Sequence, residues 1–335
     1  MKLMKMTFMM IMILGTLISI SAYSWINIWI GLEMNLLAFI PLISSDNLKS
    51  SSEVALKYFL VQVTASMIIL FSFIYSFYQL GNINNLNYTS LFLFNSAIFM
   101  KMGAAPFHMW YPKVAVGLSW MNLLILMTWQ KIAPMILIMY NFNMNTYFCM
   151  IILISMTISG LKGWNQTNVK KILALSSINH IGWMMAMMFL NQSLWIFYFI
   201  VYMFITTNLV IVLNKYEINN LNELFMLYNS NKSTKFFFFM NLFSLGGIPP
   251  FLGFFPKWMV IKILMENEMY LLAFLMIFLT LLSLYIYMRM ILQPMILKIS
   301  SKKNYFKNSS THFIYLMNWM NMLGLMFFTI MFNIY

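Results

Sequence analysis

Residues 100–114 read MKMGAAPFHMWYPKV and interrupt an apolar run that begins near Leu91. A helix that crosses lipid here has to break at Pro106 and Pro112, because proline lacks the backbone N–H that continues a helix. Lys101 lies well inside the same run, where an ammonium costs about 2.5–3.5 kcal/mol on insertion scales. A charge and a helix break therefore coincide within the membrane, which predicts a functional site.

A second stretch repeats this pattern at residues 246–258, which read GGIPPFLGFFPKW. Both stretches contain Pro-Phe, four intervening residues and then Pro-Lys, at residues 106–113 and again at residues 250–257. The identical spacing predicts two broken helices that are copies of one structural unit.

Composition places the chain among polytopic membrane proteins. Of its 335 residues 62% are hydrophobic and only 8% are charged, and the apolar runs repeatedly reach spanning length. The net charge of +13 comes mostly from basic residues in short loops and at the N-terminus, so it predicts topology and not nucleic-acid binding. One membrane domain is expected to fill the chain.

The N-terminus imitates a signal peptide, with Lys2 and Lys5 before an apolar run. A second run opens at Trp25, so the first is expected to be an uncleaved span. Cys149 is the single cysteine and lies in an apolar run, which permits no intramolecular disulfide. The 37 methionines are typical of an AT-rich genome that reads AUA as methionine, which predicts mitochondrial coding.

The apolar runs predict an all-α protein of about eleven transmembrane helices. The fourth run, residues 91–117, and the ninth, residues 236–264, are expected to be broken, and they cross in opposite directions because they are five spans apart. This predicts an inverted repeat of five helices, with residues 1–140 as its first copy, 141–297 as its second, and a loop and final helix at 298–335.

The basic loops predict the topology. Lys170, Lys171 and the loops at 215–235 and 298–307 fall on the side of the N-terminus, whereas the opposite loops hold only Lys262. The N-terminus is therefore expected on the positive side and the C-terminus across the membrane. Anionic lipid such as cardiolipin is expected to gather on the basic side.

Four ionisable residues lie well inside the predicted spans: Glu33, Lys101, Lys131 and Lys257. Each is a functional candidate, because a buried amine can gain and lose a proton near neutrality and so relay protons. Glu33 is the only acid deep in a span and is expected to pair with Lys101. The alternative is a static ion pair that joins the second and fourth helices.

Histidine and cysteine are too few for a redox centre. His108 follows the break at Pro106 and is a supporting relay candidate, although such a histidine can also satisfy freed backbone groups. Three histidines and one cysteine cannot supply the ligands of several haems or of an iron–sulfur cluster, so no cofactor, metal or nucleotide is expected in this chain.

Four segments together resemble one known family. They are KMGAAPFHMWYPKV, TWQKIAP, GLKGWNQTNVKKILALSSINHIGW and GGIPPFLGFFPKW, and they resemble the family of mitochondrial NADH dehydrogenase subunit 2, antiporter-like membrane subunits of respiratory complex I. The resemblance implies a core subunit of a proton-translocating NADH:ubiquinone oxidoreductase in the inner mitochondrial membrane. It implies an N-terminus in the matrix and a C-terminus in the intermembrane space.

The same resemblance implies partners and residue roles. Other membrane-arm subunits, antiporter-like neighbours and accessory subunits would surround the chain, while NAD, FMN, iron–sulfur clusters and ubiquinone belong to the rest of the complex. Glu33 would be the family's second-span glutamate, Lys101 its partner, Lys131 the central relay lysine and Lys257 the lysine of the second broken helix. Lys113 stands where many members carry an acid, and no function is carried onto it.

Two other hypotheses stay open from the residues alone. A stand-alone cation/proton antiporter would share this fold, and it predicts ion exchange by the purified free protein. A purely structural membrane spacer needs no titrating residues at mid-depth, and it predicts unchanged pumping after all four are neutralised.

Overall fold

The computed structural model describes residues 2–45, 51–80, 88–141, 145–225, 232–296, 318–321 and 324. These residues form helices and connecting turns, with no strand among them. Seven helices in these ranges are long and apolar enough to cross a membrane. The predicted loop 298–307 lies outside the described residues, and so does most of the predicted final helix.

The chain divides into two compact units, Met1–Asn145 and Thr146–Tyr335, called here the first and second unit. Within the first unit the helices are α1 Lys2–Ser21, α2 Trp25–Ser44, α3 Ser51–Leu80, α4 Tyr88–Met102, α5 Trp110–Gly117, α6 Trp120–Met127 and α7 Trp129–Met139. Side-chain caps begin two of them: Ser24 accepts from Asn27 N at α2, and Ser119 accepts from Asn122 N at α6.

The second unit continues the helical series. Its helices are α8 Asn145–Trp164, α9 Val169–Leu190, α10 Gln192–Lys215, a 3₁₀ turn Leu221–Glu223, α11 Lys232–Gly246, α12 Phe254–Glu266 and α13 Tyr270–Ile296. Asn168 caps α9 by accepting from the backbone N–H groups of Lys170 and Lys171. The guanidinium of Arg289 donates to the carbonyls of Trp164 and Gln166, which ties α13 to the end of α8.

Both predicted helix breaks are confirmed. The run at 91–117 is helical to Met102 and again from Trp110, and the run at 236–264 is helical to Gly246 and again from Phe254. A glycine with positive φ follows each first half, Gly103 at 74° and Gly247 at 77°. Glycine adopts this conformation without the steric cost that a Cβ would add, so it can end each half-helix.

The fifth predicted span, residues 120–140, contains an interruption that the sequence analysis did not predict. α6 ends at Met127 and α7 begins at Trp129, two residues before Lys131. The Thr128 hydroxyl donates to Leu124 O at 2.7 Å, and Lys131 N donates to Thr128 O at 3.1 Å in an i to i−3 bond. Pro134 in α7 has no N–H for the carbonyl of Gln130, so the regular ladder also lacks a bond one turn further on.

Candidate functional site

Lys101 lies in the last turn of α4, at the first helix break, and its side chain is 6% exposed. Its Nζ is buried without a hydrogen-bond partner among the described residues, and so is Oε1 of the half-buried Glu33 on α2. No ion pair of 4.0 Å or less joins them in the described part of the chain, so the predicted Glu33–Lys101 pair is not formed as a direct contact here.

The carbonyl end of α4 is satisfied by neutral donors. Gln62 on α3 donates Nε2 to Lys101 O at 3.1 Å, and Trp110 on α5 donates Nε1 to Met100 O at 3.0 Å. The last carbonyls of a helix have no partner within it, and in a buried site they need donors from elsewhere. Because Gln62 and Trp110 supply those donors, the Lys101 ammonium is not used as a cap.

Lys131 is the most buried of the candidate lysines, with 1% of its surface exposed. The interruption at Thr128 places it in the first turn of α7, where its Nζ lies 5.8 Å from the ring centroid of Tyr111 on α5, within cation–π range. A Cβ added at Gly103 would lie 2.8 Å from Cδ2 of that same ring. The glycine of the first break thus leaves the room in which Tyr111 packs beneath Lys131.

His108 lies in the segment between α4 and α5 and is 3% exposed. Its Nδ1 is 3.2 Å from the carbonyl oxygen of Pro106. This contact satisfies backbone freed by the break, which is the simpler of the two functions that the sequence analysis considered for His108.

Lys257 lies in the first turns of α12, in the second unit, and is 6% exposed. Its Nζ donates to Gly246 O at 2.8 Å and to Leu245 O at 3.2 Å, and it lies 5.8 Å from the ring centroid of Trp183 on α9. A Cβ at Gly247 would lie 2.6 Å from Cδ of Lys257. Here the ammonium itself caps the carbonyl end of the half-helix before the break, in favourable contact with the negative end of its dipole.

A group of buried polar side chains in the first unit was missed by the sequence analysis. Gln130, the residue before Lys131, donates Nε2 to Asn35 Oδ1 at 2.9 Å, and the Tyr58 hydroxyl donates to Gln130 Oε1 at 3.4 Å. Tyr58 is 2% exposed. The one available signal was the position of Gln130 within TWQKIAP, beside a mid-span lysine.

Lys113 occupies the same motif position as Lys257 but is exposed. Among the described residues, no group of three or more His, Cys, Asp or Glu is placed to hold a metal ion. The site therefore consists of carboxylate, ammonium, amide and phenol groups that α2, α3, α4 and α7 bring together in the first unit, with Lys257 as a separate capping ammonium in the second.

Broken helices beside buried ionisable side chains define a class of multi-pass membrane proteins in which ions or protons move at discontinuous helices. A family model described as NADH:quinone oxidoreductase/Mrp antiporter, TM, matches residues 22–283. The protein named NADH-ubiquinone oxidoreductase chain 2 from Anopheles gambiae is 43% identical to this chain over 335 residues, which cover 98% of this chain and 97% of the relative. The protein of the same name from Aedes aegypti is 44% identical over 333 residues, with the same coverage of both chains. The chain belongs to the NADH-ubiquinone oxidoreductase chain 2 family.

Solved structures share the fold. A chain of respiratory complex I from Thermus thermophilus with bound aureothin has a TM-score of 0.86 at 22% identity, covering 96% of this chain and 78% of that chain. A chain of the Mrp complex from Dietzia sp. DQ12-45-1b has a TM-score of 0.81 at 14% identity, covering 97% and 75%. At these identities the likeness concerns the fold alone.

Proposed function

We propose that this chain is a core membrane-arm subunit of respiratory complex I, where it takes part in proton translocation coupled to electron transfer from NADH to ubiquinone. The observation that carries the proposal is the set of buried or half-buried ionisable side chains in the first unit. Glu33, Lys101 and Lys131 come from three different helices, and two of them have buried polar atoms without a partner among the described residues. An ionisable group without a partner is energetically costly inside a membrane, so its presence there indicates a function.

The proposed relay uses the charge of Glu33 to control Lys101. A carboxylate close to an amine favours the charged amine, and its withdrawal lets the proton move on. Lys101 then passes its proton toward Lys131, which the Thr128 interruption holds at the start of α7. Lys257 is proposed as the relay lysine of the second unit, and His108 as a supporting group at the first break.

The proposed architecture has eleven spans and an inverted repeat of five helices, at residues 1–140 and 141–297. Its support is the matched pair of breaks, in which Gly103 and Gly247 have nearly equal positive φ and stand three residues before the proline of each Pro-Phe motif. An inverted repeat with sites at discontinuous helices is a common transporter design.

The proposed location is the inner mitochondrial membrane, with the N-terminus in the matrix and the C-terminus in the intermembrane space. The names of the curated relatives support assembly with other membrane-arm subunits, among them antiporter-like neighbours and accessory subunits. Redox chemistry with NAD, FMN, iron–sulfur clusters and ubiquinone is proposed for other subunits. Cardiolipin or another anionic lipid is proposed at the basic loops.

The proposal is tested by Glu33→Gln, which keeps the side-chain shape but removes the charge. We expect normal assembly, because no direct ion pair is lost, together with slower NADH oxidation and proton uptake. The measurements are assembled complex on a native gel, and oxidation and uptake in inside-out membrane vesicles from cells that carry the variant.

The matched control is Glu53→Gln. Glu53 pairs with Lys57 at 2.5 Å on an exposed part of α3, where an ion pair contributes little, so turnover should not change. Normal oxidation and an undiminished proton yield per NADH in Glu33→Gln would refute the relay. Loss of assembly would instead favour a structural function for Glu33.

A further inference from the structure

Residues 318–321 and 324, called here the terminal segment, are helical and carry two asparagines and a glycine at intervals of three. These are Asn318, Asn321 and Gly324, and positions three apart lie on the same face of a helix. Both asparagines are buried, where a carboxamide is costly unless its donor and acceptor groups find partners. The helix against which this face packs therefore has to supply them.

Both asparagines bond to α11, the half-helix before the second break. Asn241 on α11 donates Nδ2 to Asn318 Oδ1 at 2.6 Å and accepts from Asn321 Nδ2 at 2.5 Å. The same Asn321 Nδ2 also donates to Ser244 Oγ at 3.1 Å, while the Ser244 hydroxyl donates to Asn241 O within its own helix. Asn241 and Ser244 are buried too, so these bonds are shielded from water. Three buried side-chain hydrogen bonds thus join the terminal segment to the last turns of α11.

The terminal segment also contacts the break itself. A Cβ added at Gly324 would collide with Cδ1 of Leu252, so the absence of a side chain at Gly324 lets the segment closely approach the chain between α11 and α12. That chain in turn packs back onto α11, since a Cβ added at Gly253 would collide with Ser244 O. Ser244 therefore receives a backbone contact from the break at its carbonyl and a hydrogen bond from the terminal segment at its hydroxyl.

We propose that the terminal segment clamps the second helix break, with Asn321 as a positioning residue for the Lys257 ammonium. Lys257 Nζ bonds to the carbonyls of Leu245 and Gly246, which directly follow Ser244 in α11. Because Asn321 holds Ser244, it fixes the helical turn whose carbonyls the ammonium has to reach. The clamp stands on these contacts alone, and only its effect on turnover rests on the proposed function of Lys257 as a relay lysine.

The first unit differs in where the donor at its break comes from. There Gln62 on α3 donates to Lys101 O at the end of α4, and both helices belong to the first proposed copy of the repeat. In the second unit an amide donor to the last turns of α11 comes from the terminal segment, which lies outside the two proposed copies. A helix beyond the repeat thereby holds in place the half-helix that Lys257 caps.

The test is Asn321→Leu, which removes both bonds that Asn321 donates. We expect the backbone amides of residues 247–253 in the assembled complex to exchange with deuterium about tenfold faster, the size of two lost hydrogen bonds between helices. Turnover per assembled complex should fall, because the carbonyls that hold Lys257 are no longer fixed. The matched control is Asn179→Leu, since the buried Asn179 donates Nδ2 to Ser283 Oγ at 3.0 Å in the same unit but joins α9 to α13. Exchange at 247–253 should stay unchanged in this control.

Ser244→Ala is a milder variant, which loses one of the three bonds between helices and keeps the pair of amides. It should speed exchange at 247–253 by about threefold, and it tests the clamp even if Asn321→Leu does not assemble. Unchanged exchange in either variant, or an equal increase in Asn179→Leu, would overturn the inference. Faster exchange with normal turnover in both Asn321→Leu and Lys257→Met would instead support the clamp and refute Lys257 as a relay lysine, so the two failures are distinguishable.

Discussion

Replacing Lys257 by methionine should weaken assembly of the complex, because Lys257 caps a half-helix. A lysine that only carried protons could be replaced without this loss. The substitution removes the donor from two buried carbonyls, Leu245 O and Gly246 O, and each unsatisfied buried group costs about 1–3 kcal/mol. The cation–π contact with Trp183 adds about 1 kcal/mol. A loss of even 2 kcal/mol lowers the ratio of folded to unfolded protein by about thirtyfold.

Lys101→Met is the matched control, because the Lys101 ammonium donates no hydrogen bond to the described residues. Exchanging a buried charge for an apolar side chain of similar volume is often neutral or stabilising. We therefore expect Lys101→Met to assemble normally and turn over slowly, whereas Lys257→Met accumulates less assembled complex with a lower thermal inactivation temperature. Equal assembly of the two variants would refute the assignment of Lys257 as a cap.

Three further outcomes are expected. Gly247→Ala should lower the amount of assembled complex on a native gel. An alanine at φ 77° is strained by about 1–2 kcal/mol, and its Cβ would lie 2.6 Å from Lys257 Cδ. Wild-type amounts of complex would contradict this. Gln62→Leu leaves Lys101 O without its donor and should cost about 1–3 kcal/mol, read as a lower thermal inactivation temperature; an unchanged temperature would mean that another donor replaces it. Trypsin should cut the basic loops at 215–235 and 298–307 in inside-out vesicles and spare them in mitoplasts, and the reverse pattern would invert the predicted topology.

The helix breaks could be predicted because they depend on local chemistry. Proline removes a backbone donor wherever it occurs in a helix, and glycine is needed where φ is positive, so residues 100–114 and 246–258 carried the information themselves. The interruption at Thr128 was not predicted from the same run. The interruption lies six residues before Pro134, whose missing N–H leaves Gln130 O without its regular partner, and a single proline in an apolar run does not reveal at which residue the helix will be distorted.

The candidate site was only partly predictable, since charge is visible in a sequence and hydrogen-bond geometry is not. Glu33, Lys101, Lys131 and Lys257 were singled out because ionisable groups are rare inside spans. Tyr58 and Gln130 carry no charge and are separated by 72 positions, so only the packed helices bring them together. The sequence analysis expected a direct Glu33–Lys101 contact, and the described structure has none. Whether two charged side chains on neighbouring helices come within contact distance depends on their packing, which the sequence does not show.

Lys101 and Lys257 each lie beside a helix break, but they occupy different positions of the repeated motif and make different contacts. When the two Pro-Phe motifs are aligned, Lys257 corresponds to the exposed Lys113, and Leu245 stands where the first unit has Lys101. In the second unit the ammonium therefore comes from beyond the break and reaches back past Gly247 to the open carbonyls. In the first unit it comes from before the break, where amide and indole donors already fill that position. Lys257 therefore caps a half-helix because no neutral side chain donates to the carbonyls it reaches in the described structure. Lys101 makes no such bond because Gln62 and Trp110 already donate to the carbonyls at the end of its own half-helix.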